Sequence, residues 1–395
     1  MANWQTKKLG ETLTIRHGRN QREVEIHDGA YPILGTGGQI GRTNTYLYDK
    51  PSVLIGRKGT IDKPRYMDTP FWTVDTLFYS EIEPENSPKF LYYVFKTINW
   101  QRYNEASGVP SLSASTISSI KINIPEKPEQ ERIVGVLEVW DEYIEKLEQK
   151  IALKEQLKKG LMQQLLTGKR RFSGFRGEWD TVSLSKFGYA RTSSVDKLSV
   201  DGEQSVNLLN YMDVYRRDRI SSTDTFQIVT AKDAQIVTSD LKKGDVLFTP
   251  SSETSTDIGH SAVIVEDLNM TVFSYHLVRF RMEVGYLSVN FSAYCFKTEA
   301  FYKELWKRAQ GATRFTLSKE AIESAKITIP VDIDEQNAIA SVIETADNEI
   351  ESLRLMLHQI KLQKKYLLKN LITGAIRTPE DLQPLDTSRL ERSAL

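Results

Sequence analysis

The sequence has one cysteine, no long apolar run and no excess of either charge. A single thiol, Cys295, excludes an intramolecular disulfide and a cysteine-rich zinc site. It fits a protein of the reducing cytoplasm. Because Cys295 lies between Tyr294 and Phe296, we interpret it as a small buried residue and not as a nucleophile.

No apolar run approaches the roughly 18 residues that cross a bilayer. The first residues, Met1 to Lys8, also lack an apolar signal core. These absences predict a cytoplasmic protein with no membrane partner. Lys plus Arg and Asp plus Glu both number 52, so the whole chain exerts no net attraction on a polyanion. Any nucleic-acid surface must come from local segregation of charge.

Motifs of catalysis are also missing. The glycine-rich segment from Gly35 to Arg42 lacks the strand–loop–helix spacing of a dinucleotide site, and Gly56 to Thr60 lacks the Gly-Lys-Ser/Thr ending of a phosphate loop. The five histidines have no metal-ligand spacing. We find no zinc-protease or adenine-methyltransferase signature. The sequence therefore predicts no catalytic residue, no metal site and no cofactor in this chain.

The sequence contains two copies of one long pattern of motifs. Each copy has a Lys-Ile-x-Ile-Pro box, then Glu-Gln, a long apolar-periodic run, and a Leu-Leu/Ile-Thr-Gly ending. The two copies of these features are Lys121 to Pro125 and Lys326 to Pro330, Glu129-Gln130 and Glu335-Gln336, and Leu165 to Gly168 and Leu371 to Gly374. Gln336 − Gln130 and Gly374 − Gly168 both give 206, so no insertion separates the copies within this run. A two-copy period of this length indicates two domains.

The periodic runs predict two coiled-coil helices, because their apolar positions alternate in steps of four and three. The predicted seam consists of Ile133, Leu137, Trp140, Ile144, Leu147, Ile151, Ile339, Ile343, Ile350, Leu353, Leu357 and Ile360. Lys154, Lys158 and Lys364 interrupt this seam. We expect their stems to pack and their ammonium groups to reach water.

A helix from about Glu131 to Leu166 would be roughly 54 Å long, and its apolar stripe requires a partner. The equal lengths favour an antiparallel pair. We therefore predict an α+β protein with two mixed globular domains, separated by two long helices in an antiparallel coiled coil with a pseudo-two-fold internal repeat. The predicted segments are a first domain at 1–128, a first helix at 129–168, a second domain at 169–334, a second helix at 335–376 and a frayed polar tail at 377–395.

The loops of both domains carry side chains that suit DNA. Arg and Lys can contact phosphates or guanine edges, and Asn or Gln can pair with adenine. The candidate DNA-binding residues are Arg16, Arg19, Gln39, Arg42, Asn44, Arg57, Lys58 and Lys63 in the first domain, and Asn210, Tyr211, Arg216, Arg217, Ser251, Ser252, Thr254 and Arg314 in the second.

The ordered combination of boxes, from Trp4 to Gly374, resembles the specificity subunit of type I restriction–modification enzymes. The resemblance implies that each domain is a target-recognition domain that reads one half of an asymmetric, bipartite target in double-stranded DNA. It implies that the coiled coil sets the spacer and docks two modification (methyltransferase) subunits, which use S-adenosylmethionine. Restriction subunits, acting as translocase and nuclease, would use ATP and Mg²⁺. The present chain would be a non-catalytic member of this heteromultimer.

Two alternatives remain open at this stage. An S-like recognition subunit could serve another type of restriction–modification enzyme. A coiled-coil scaffold could instead bind two proteins through its globular domains and never contact DNA.

Overall fold

The computed structural model describes residues 4–283 and 285–382 and divides into two compact units. Among these residues, the first unit contains 4–149 and 354–382, and the second contains the remainder of 150–353. Each of the two long helices contributes one segment to each unit. The units therefore differ from the predicted segments, which kept the helices apart from the globular domains.

The first unit is a mixed α/β structure. Strands β2, β9, β6 and β7 form one sheet in that order, β3, β5, β4 and β8 form a second, and β1 pairs with β10. The elements are β1 (Gln5–Lys8), β2 (Leu13–His17), β3 (Glu25–Ile26), β4 (Tyr31–Gly35), β5 (Gly38–Thr43), β6 (Ser52–Gly56), β7 (Arg65–Met67), β8 (Trp72–Thr73), β9 (Leu77–Ile82), α1 (Pro88–Thr97), α2 (Ala114–Ser119), β10 (Lys121–Ile124) and α3 (Lys127–Leu165), whose second half lies in the second unit.

The second unit has different sheets. Strands β12, β20, β16, β18 and β14 form a five-stranded sheet, β15, β13 and β19 a three-stranded one, and β17 pairs with β21 and β11 with β22. The elements are β11 (Trp179–Ser183), β12 (Gly188–Thr192), β13 (Gln204–Leu209), α4 (Tyr211–Arg216), β14 (Arg219–Ile220), β15 (Gln227–Ala231), α5 (Asp233–Thr238), β16 (Val246–Phe248), β17 (Ser251–Ser252), β18 (Ser261–Ile264), β19 (Thr271–Phe273), β20 (Val278–Met282), α6 (Val289–Cys295), α7 (Glu299–Trp306), β21 (Phe315–Thr316), α8 (Lys319–Glu323), β22 (Lys326–Pro330) and α9 (Ile333–Thr373).

The strands follow the sequence patterns with one exception. Ser52–Gly56 is buried throughout, as a continuous apolar strand requires. The Lys-Ile-x-Ile boxes alternate exposed and buried residues and pair antiparallel with β1 and β11. The aromatic and apolar segment from Tyr46 to Tyr48 also has the composition of a short strand, and the strand expected from it is wrong. Only an isolated bridge from Tyr48 to Phe71 forms there, after a bend at Asn44.

The long helices begin earlier than the sequence predicts. Helix α3 starts at Lys127 and α9 at Ile333. Pro128 is accommodated in the first turn of α3, where the backbone N–H groups have no partner within the helix and a proline costs nothing. Beyond the helices, Gly168 and Gly374 adopt positive φ angles of 68° and 75°, a region that favours glycine.

The helix segments pair antiparallel within each unit. In the first unit Asp141 of α3 binds Lys364 of α9, and Glu148 binds Lys361 at 2.6 Å. Partner numbers in α9 fall as numbers in α3 rise. In the second unit Lys154 pairs with Glu349 and Lys158 with Asp347, again in descending order.

The seam lysines differ from their predicted role. Lys154, Lys158 and Lys364 each form an ion pair with a carboxylate on the other long helix. Lys364 is only 8% exposed. The sequence pattern located these residues in the seam but did not show that an aspartate or glutamate would face each of them.

The predicted seam residues are all buried or half-buried. Those that are buried are Ile133, Leu137, Leu147, Ile151, Ile339, Ile343 and Ile350, and those that are half-buried are Trp140, Ile144, Leu353, Leu357 and Ile360. Burial is deepest next to the globular sheets, where the helices also pack on the two main cores.

The Glu-Gln pair at the start of each long helix has a structural role. Gln130 donates from Nε2 to the Pro125 carbonyl at 2.9 Å and accepts from the Ser87 N–H at 2.8 Å. Gln336 repeats both bonds with Pro330 and Ser288, at 2.9 and 2.8 Å. Since each serine is the N-cap of α1 or α6, the glutamine joins three elements.

The adjacent glutamates hold the ends of the helices. Glu129 and Glu335, each 1% exposed at the side chain, receive paired hydrogen bonds from Arg377 and Arg171. The prediction of a frayed tail from Arg377 onward is wrong at its first residues, because Arg377 is fixed to Glu129. The remainder of that predicted tail, 383–395, lies outside the described residues.

Replacing Gln130 with Ala should lower the free energy of unfolding by about 1–3 kcal/mol, because the Ser87 N–H would remain buried without its acceptor. Gln149→Ala, at an exposed position of the same helix, is the matched control and should change it by less than about 0.5 kcal/mol. Urea unfolding of both variants measures the difference. Equal stability of the two would contradict the anchoring role.

Candidate nucleic-acid interface

In the second unit, five of the predicted DNA-binding residues line one cleft of about 860 Å³. They come from α4, from β17 with the residues that follow it, and from the turn before β21. These predicted residues are Tyr211, Ser251, Ser252, Thr254 and Arg314. The sequence therefore grouped residues that are far apart in the chain, and the fold brings them to one surface.

Two hydrogen bonds to one serine fix the walls of this cleft. Ser251 and Ser252 pair antiparallel with Thr316 and Phe315, so the strand pair carries Arg314 at its end. The Arg314 Nη2 donates to Ser251 Oγ at 3.2 Å, and the Tyr211 hydroxyl donates to the Ser251 carbonyl at 3.0 Å. Both large side chains are thereby pre-positioned, which reduces the entropy lost when they bind a ligand.

The cleft is polar and mixed in charge. Lys197, His276 and Thr313 line it in addition to the predicted residues, as do Glu253 and Asp257. Burial lowers the pKa of His276, and the positive charges of Lys197 and Arg314 lower it further. Because this pKa falls below the usual range, the imidazole is neutral near pH 7 and both accepts and donates hydrogen bonds.

Arg314 has no carboxylate partner within the described residues, unlike Arg16 and Arg217. Arg217 is paired with Asp213 at 2.7 Å and Asp224 at 3.1 Å, so its charge is balanced inside the domain. Arg216 is exposed and has no such pair in the described chain. Asn210 occupies the N-cap position of α4, and its backbone N–H donates to Asp213 Oδ2 at 2.8 Å.

In the first unit the predicted residues are more dispersed. Gln39 and Arg42 line a second cleft, of about 620 Å³, together with Glu25, Ile26 and His27. The Arg42 guanidinium donates to the backbone carbonyls of residues 29 and 30 at 2.5 and 3.1 Å. These two hydrogen bonds hold the guanidinium plane in place and use two of its nitrogens as donors.

The other predicted residues of the first unit lie outside that cleft. Arg16 pairs with Glu81 at 2.8 Å, and Arg57 donates to the Asp75 carbonyl at 3.2 Å. Asn44 accepts a hydrogen bond from a backbone N–H. The remaining predicted side chains, which are exposed, are those of Arg19, Lys58 and Lys63. All of these stay predictions as DNA contacts.

Sequence reasoning missed five residues that line this large cleft of the second unit, which are Lys197, Glu253, Asp257, His276 and Thr313. Lys197 lies in a Ser- and Asp-containing loop whose composition favoured a surface site. Thr313 is adjacent to Arg314, so it would have been found if the whole loop around Arg314 had been included among the candidate DNA-binding residues. For His276 no signal was available, since an isolated histidine next to a tyrosine is most often a core or solvated residue.

Two further observations concern the described residues only. No group of three or more His, Cys, Asp or Glu side chains among them is arranged to hold a metal ion. None of their helices is long and apolar enough to span a lipid bilayer.

Both copies of the repeat match a known protein family. A family model described as the type I restriction modification DNA specificity domain matches residues 1–159 and again residues 178–362. The chain belongs to the type I restriction–modification DNA specificity family. The two matches fall on the two sequence copies, so each globular domain with its long helix is one family domain.

The curated relatives carry the same description. The chain is 27% identical to the MjaVIII specificity subunit of Methanocaldococcus jannaschii over 288 residues, which is 69% of this chain and 66% of that protein. It is 24% identical to the EcoDI specificity subunit of Escherichia coli over 169 residues, 42% of this chain and 37% of that protein. The first alignment thus spans just under two thirds of the archaeal relative.

Solved structures show the same fold. The type I S subunit from M. genitalium superimposes with a TM-score of 0.59 at 16% identity, covering 94% of this chain and 96% of that one. A chain from a structure titled for complex assembly and conformational transition of the type I R-M system gives 0.60 at 13% identity, covering 95% and 100%. These confirm the α+β class and the internally repeated fold with its coiled coil.

Replacing Arg314 with Ala should relax selectivity at one base pair of a DNA target, with a loss of about 1–3 kcal/mol in discrimination. The reason is that an arginine without a carboxylate partner, held at a cleft, suits the two acceptors of a guanine edge. Competition binding with single-base variants of the target measures it. Arg176→Ala, at an exposed position outside the cleft, is the control. A uniform loss across all sequences would show a phosphate contact instead.

Proposed function

We propose that this chain is the DNA-reading subunit of a multisubunit type I restriction–modification enzyme. The observation that carries the proposal is the double match of the DNA specificity domain, at 1–159 and 178–362. Each match contains its own glycine- and arginine-containing loops. The proposal favours DNA reading over a purely protein-binding scaffold, because relatives matched over both copies are named as specificity subunits.

Each globular domain reads one half of a bipartite target. The two domains have unlike sheets, four- and four-stranded in the first unit and five- and three-stranded in the second. Their clefts also present different side chains, Gln39 and Arg42 in one and Tyr211 and Arg314 in the other. Two domains with different sheets and different cleft side chains recognise different half-site sequences, so the target is asymmetric.

The coiled coil sets the number of base pairs between the half-sites. Helix α3 has 39 residues and α9 has 41. A continuous helix of about 40 residues is roughly 60 Å long, which exceeds the about 34 Å that separates half-sites one helical turn apart. The charged cross-helix pairs supply a fixed register for such a spacer.

Catalysis belongs to partner subunits in this proposal. Two modification subunits dock on the helices and methylate adenine with S-adenosylmethionine, and restriction subunits use ATP and Mg²⁺. Neither group needs a site in this chain. The complex works in the cytoplasm, where the free thiol of Cys295 is stable.

The direct test is reconstitution of the chain with modification subunits of a type I system. The complex should methylate adenine in duplex DNA at a two-part sequence and shift that DNA in a salt-dependent manner. Modification subunits alone should show no such preference. Methylation that ignores sequence, with the chain present, would overturn the proposal.

Inserting seven residues after Gln149 and seven after Leu355 should lengthen the recognised spacer by about three base pairs, since seven helical residues span about 10 Å and a base pair about 3.4 Å. Seven residues preserve the heptad phase, so the helices should remain paired. Both half-site sequences should be unchanged. Sequencing of methylated sites measures the result.

An insertion of seven residues in α3 alone is the matched control. It should break the cross-helix register and lower activity on every spacer. If the double insertion altered bases within a half-site and left the spacer unchanged, the helices would not act as a spacer.

A further inference from the structure

A trio of polar side chains connects the recognition domain to both long helices in the first unit. The Tyr93 hydroxyl on α1 donates to Asp141 Oδ2 on α3 at 2.7 Å. Lys364 on α9 binds the other oxygen of the same carboxylate. The lysine ammonium also lies 5.6 Å from the centre of the Tyr93 ring. One aspartate thus joins three helices.

The second unit contains the same trio. The Tyr294 hydroxyl on α6 donates to Asp347 Oδ2 on α9 at 3.0 Å. Lys158 on α3 binds Oδ1 of that aspartate and lies 5.9 Å from the centre of the Tyr294 ring. The helices have exchanged roles, since the aspartate is now on α9 and the lysine on α3.

The two trios are copies of each other. Asp347 − Asp141 and Lys364 − Lys158 both give 206, and Tyr294 − Tyr93 gives 201, which is also the offset between Phe95 and Phe296. The surrounding helix sequences differ, with Tyr92 replaced by Ala293 and Phe95 retained as Phe296. The same three residue types therefore occur at both places where a recognition domain meets the long helices.

The tyrosine of each trio is buried, so its hydroxyl has little freedom to find another partner. Tyr93 is 3% and Tyr294 0% exposed. Burial, and next the neighbouring aspartate, raise the pKa of both phenols, so they remain donors at any working pH. Burial lowers the pKa of Lys364, and Asp141 opposes that shift. The lysine side chains are 10% and 18% exposed and the aspartates 45% and 33%, so each ion pair is partly buried. Such a pair adds little net stability but can specify geometry.

The second trio extends into its recognition domain. Asp218 lies 3.8 Å from Lys158 and 2.6 Å from Lys297. Next to it, Arg219 pairs with Glu344 of α9 at 2.6 Å. Arg219 begins β14, an edge strand of the five-stranded sheet. That sheet also contains β16, which leads directly into β17 and the large cleft.

We propose that Tyr93, Asp141 and Lys364, and likewise Tyr294, Asp347 and Lys158, are positioning clamps that fix the angle of each recognition domain on the helix pair. They determine how strictly the spacer between the half-sites is read. This inference rests on the proposed DNA-reading function. None of the six residues lines the clefts that carry the predicted base contacts.

The clamps predict a specific defect. Without the tyrosine hydroxyl, the apolar cores still hold each domain on the helices, but its angle is less restricted. A loosened domain can meet its half-site at more than one distance. Spacer selectivity should fall while the half-site sequences stay the same.

The test uses the complete complex with its modification subunits and the variants Tyr93→Phe, Tyr294→Phe and the double variant. The probes are duplexes with both half-sites and a spacer of natural length, one base pair shorter or one longer. Each single variant should reduce the preference for the natural spacer about tenfold, the change expected from losing one hydrogen bond to a charged group. The double variant should reduce it further.

Tyr92→Phe and Tyr302→Phe are the matched controls, because neither hydroxyl makes a hydrogen bond within the described residues. They should retain the natural spacer preference. Unchanged spacer preference in the clamp variants would overturn the proposal, as would an equal loss of affinity for all three spacers. Should either phenylalanine variant fail to fold, Asp347→Asn, which weakens the lysine contact but keeps an acceptor, is measured in the same way.

The wild-type complex distinguishes a failure of the proposed function from a failure of the clamps. A wild-type complex that ignores the sequence of both half-sites contradicts the proposed function itself. A wild-type complex that selects its target and spacer, with clamp variants that do so equally well, contradicts only the clamps.

Discussion

The antiparallel register of the two long helices is the constraint on which the other features depend. It is set by charged pairs that are equivalent under the repeat, Asp141 with Lys364 and Asp347 with Lys158. An apolar heptad seam alone tolerates a shift by one repeat, whereas a lysine in the seam must find its aspartate. Each long helix contributes a segment to both units, so each of these pairs fixes the register of the two helix segments within its own unit.

The sequence was sufficient for the repeat and the long helices, because these follow from periodicity and from a constant offset of 206. It failed where a partner comes from a distant part of the chain. Lys364 was expected to reach water, yet it faces Asp141. Arg377 was expected to fray, yet it binds buried Glu129. Periodicity describes one helix and carries no information about the charges opposite it.

In the candidate site, too, the sequence indicated suitable residue types but not their neighbours in space. Residue type and loop composition selected Tyr211, Ser251 and Arg314, which the fold brings into one cleft. Composition could not separate them from Arg16 or Arg217, whose charges are already paired with Glu81 and with aspartates. Whether an arginine is available to a ligand depends on its neighbours in space, and local sequence does not specify those neighbours.

Exchange of one variable segment tests the central claim, that two unlike domains on one helix pair each read their own half of a target. Residues 184–325 would be replaced by the matching segment of another family member, and methylated sites would be sequenced from cells carrying each version. The account predicts that one half-site changes while the other half-site and the spacer length are retained. A change in both half-sites, or in neither, would contradict it.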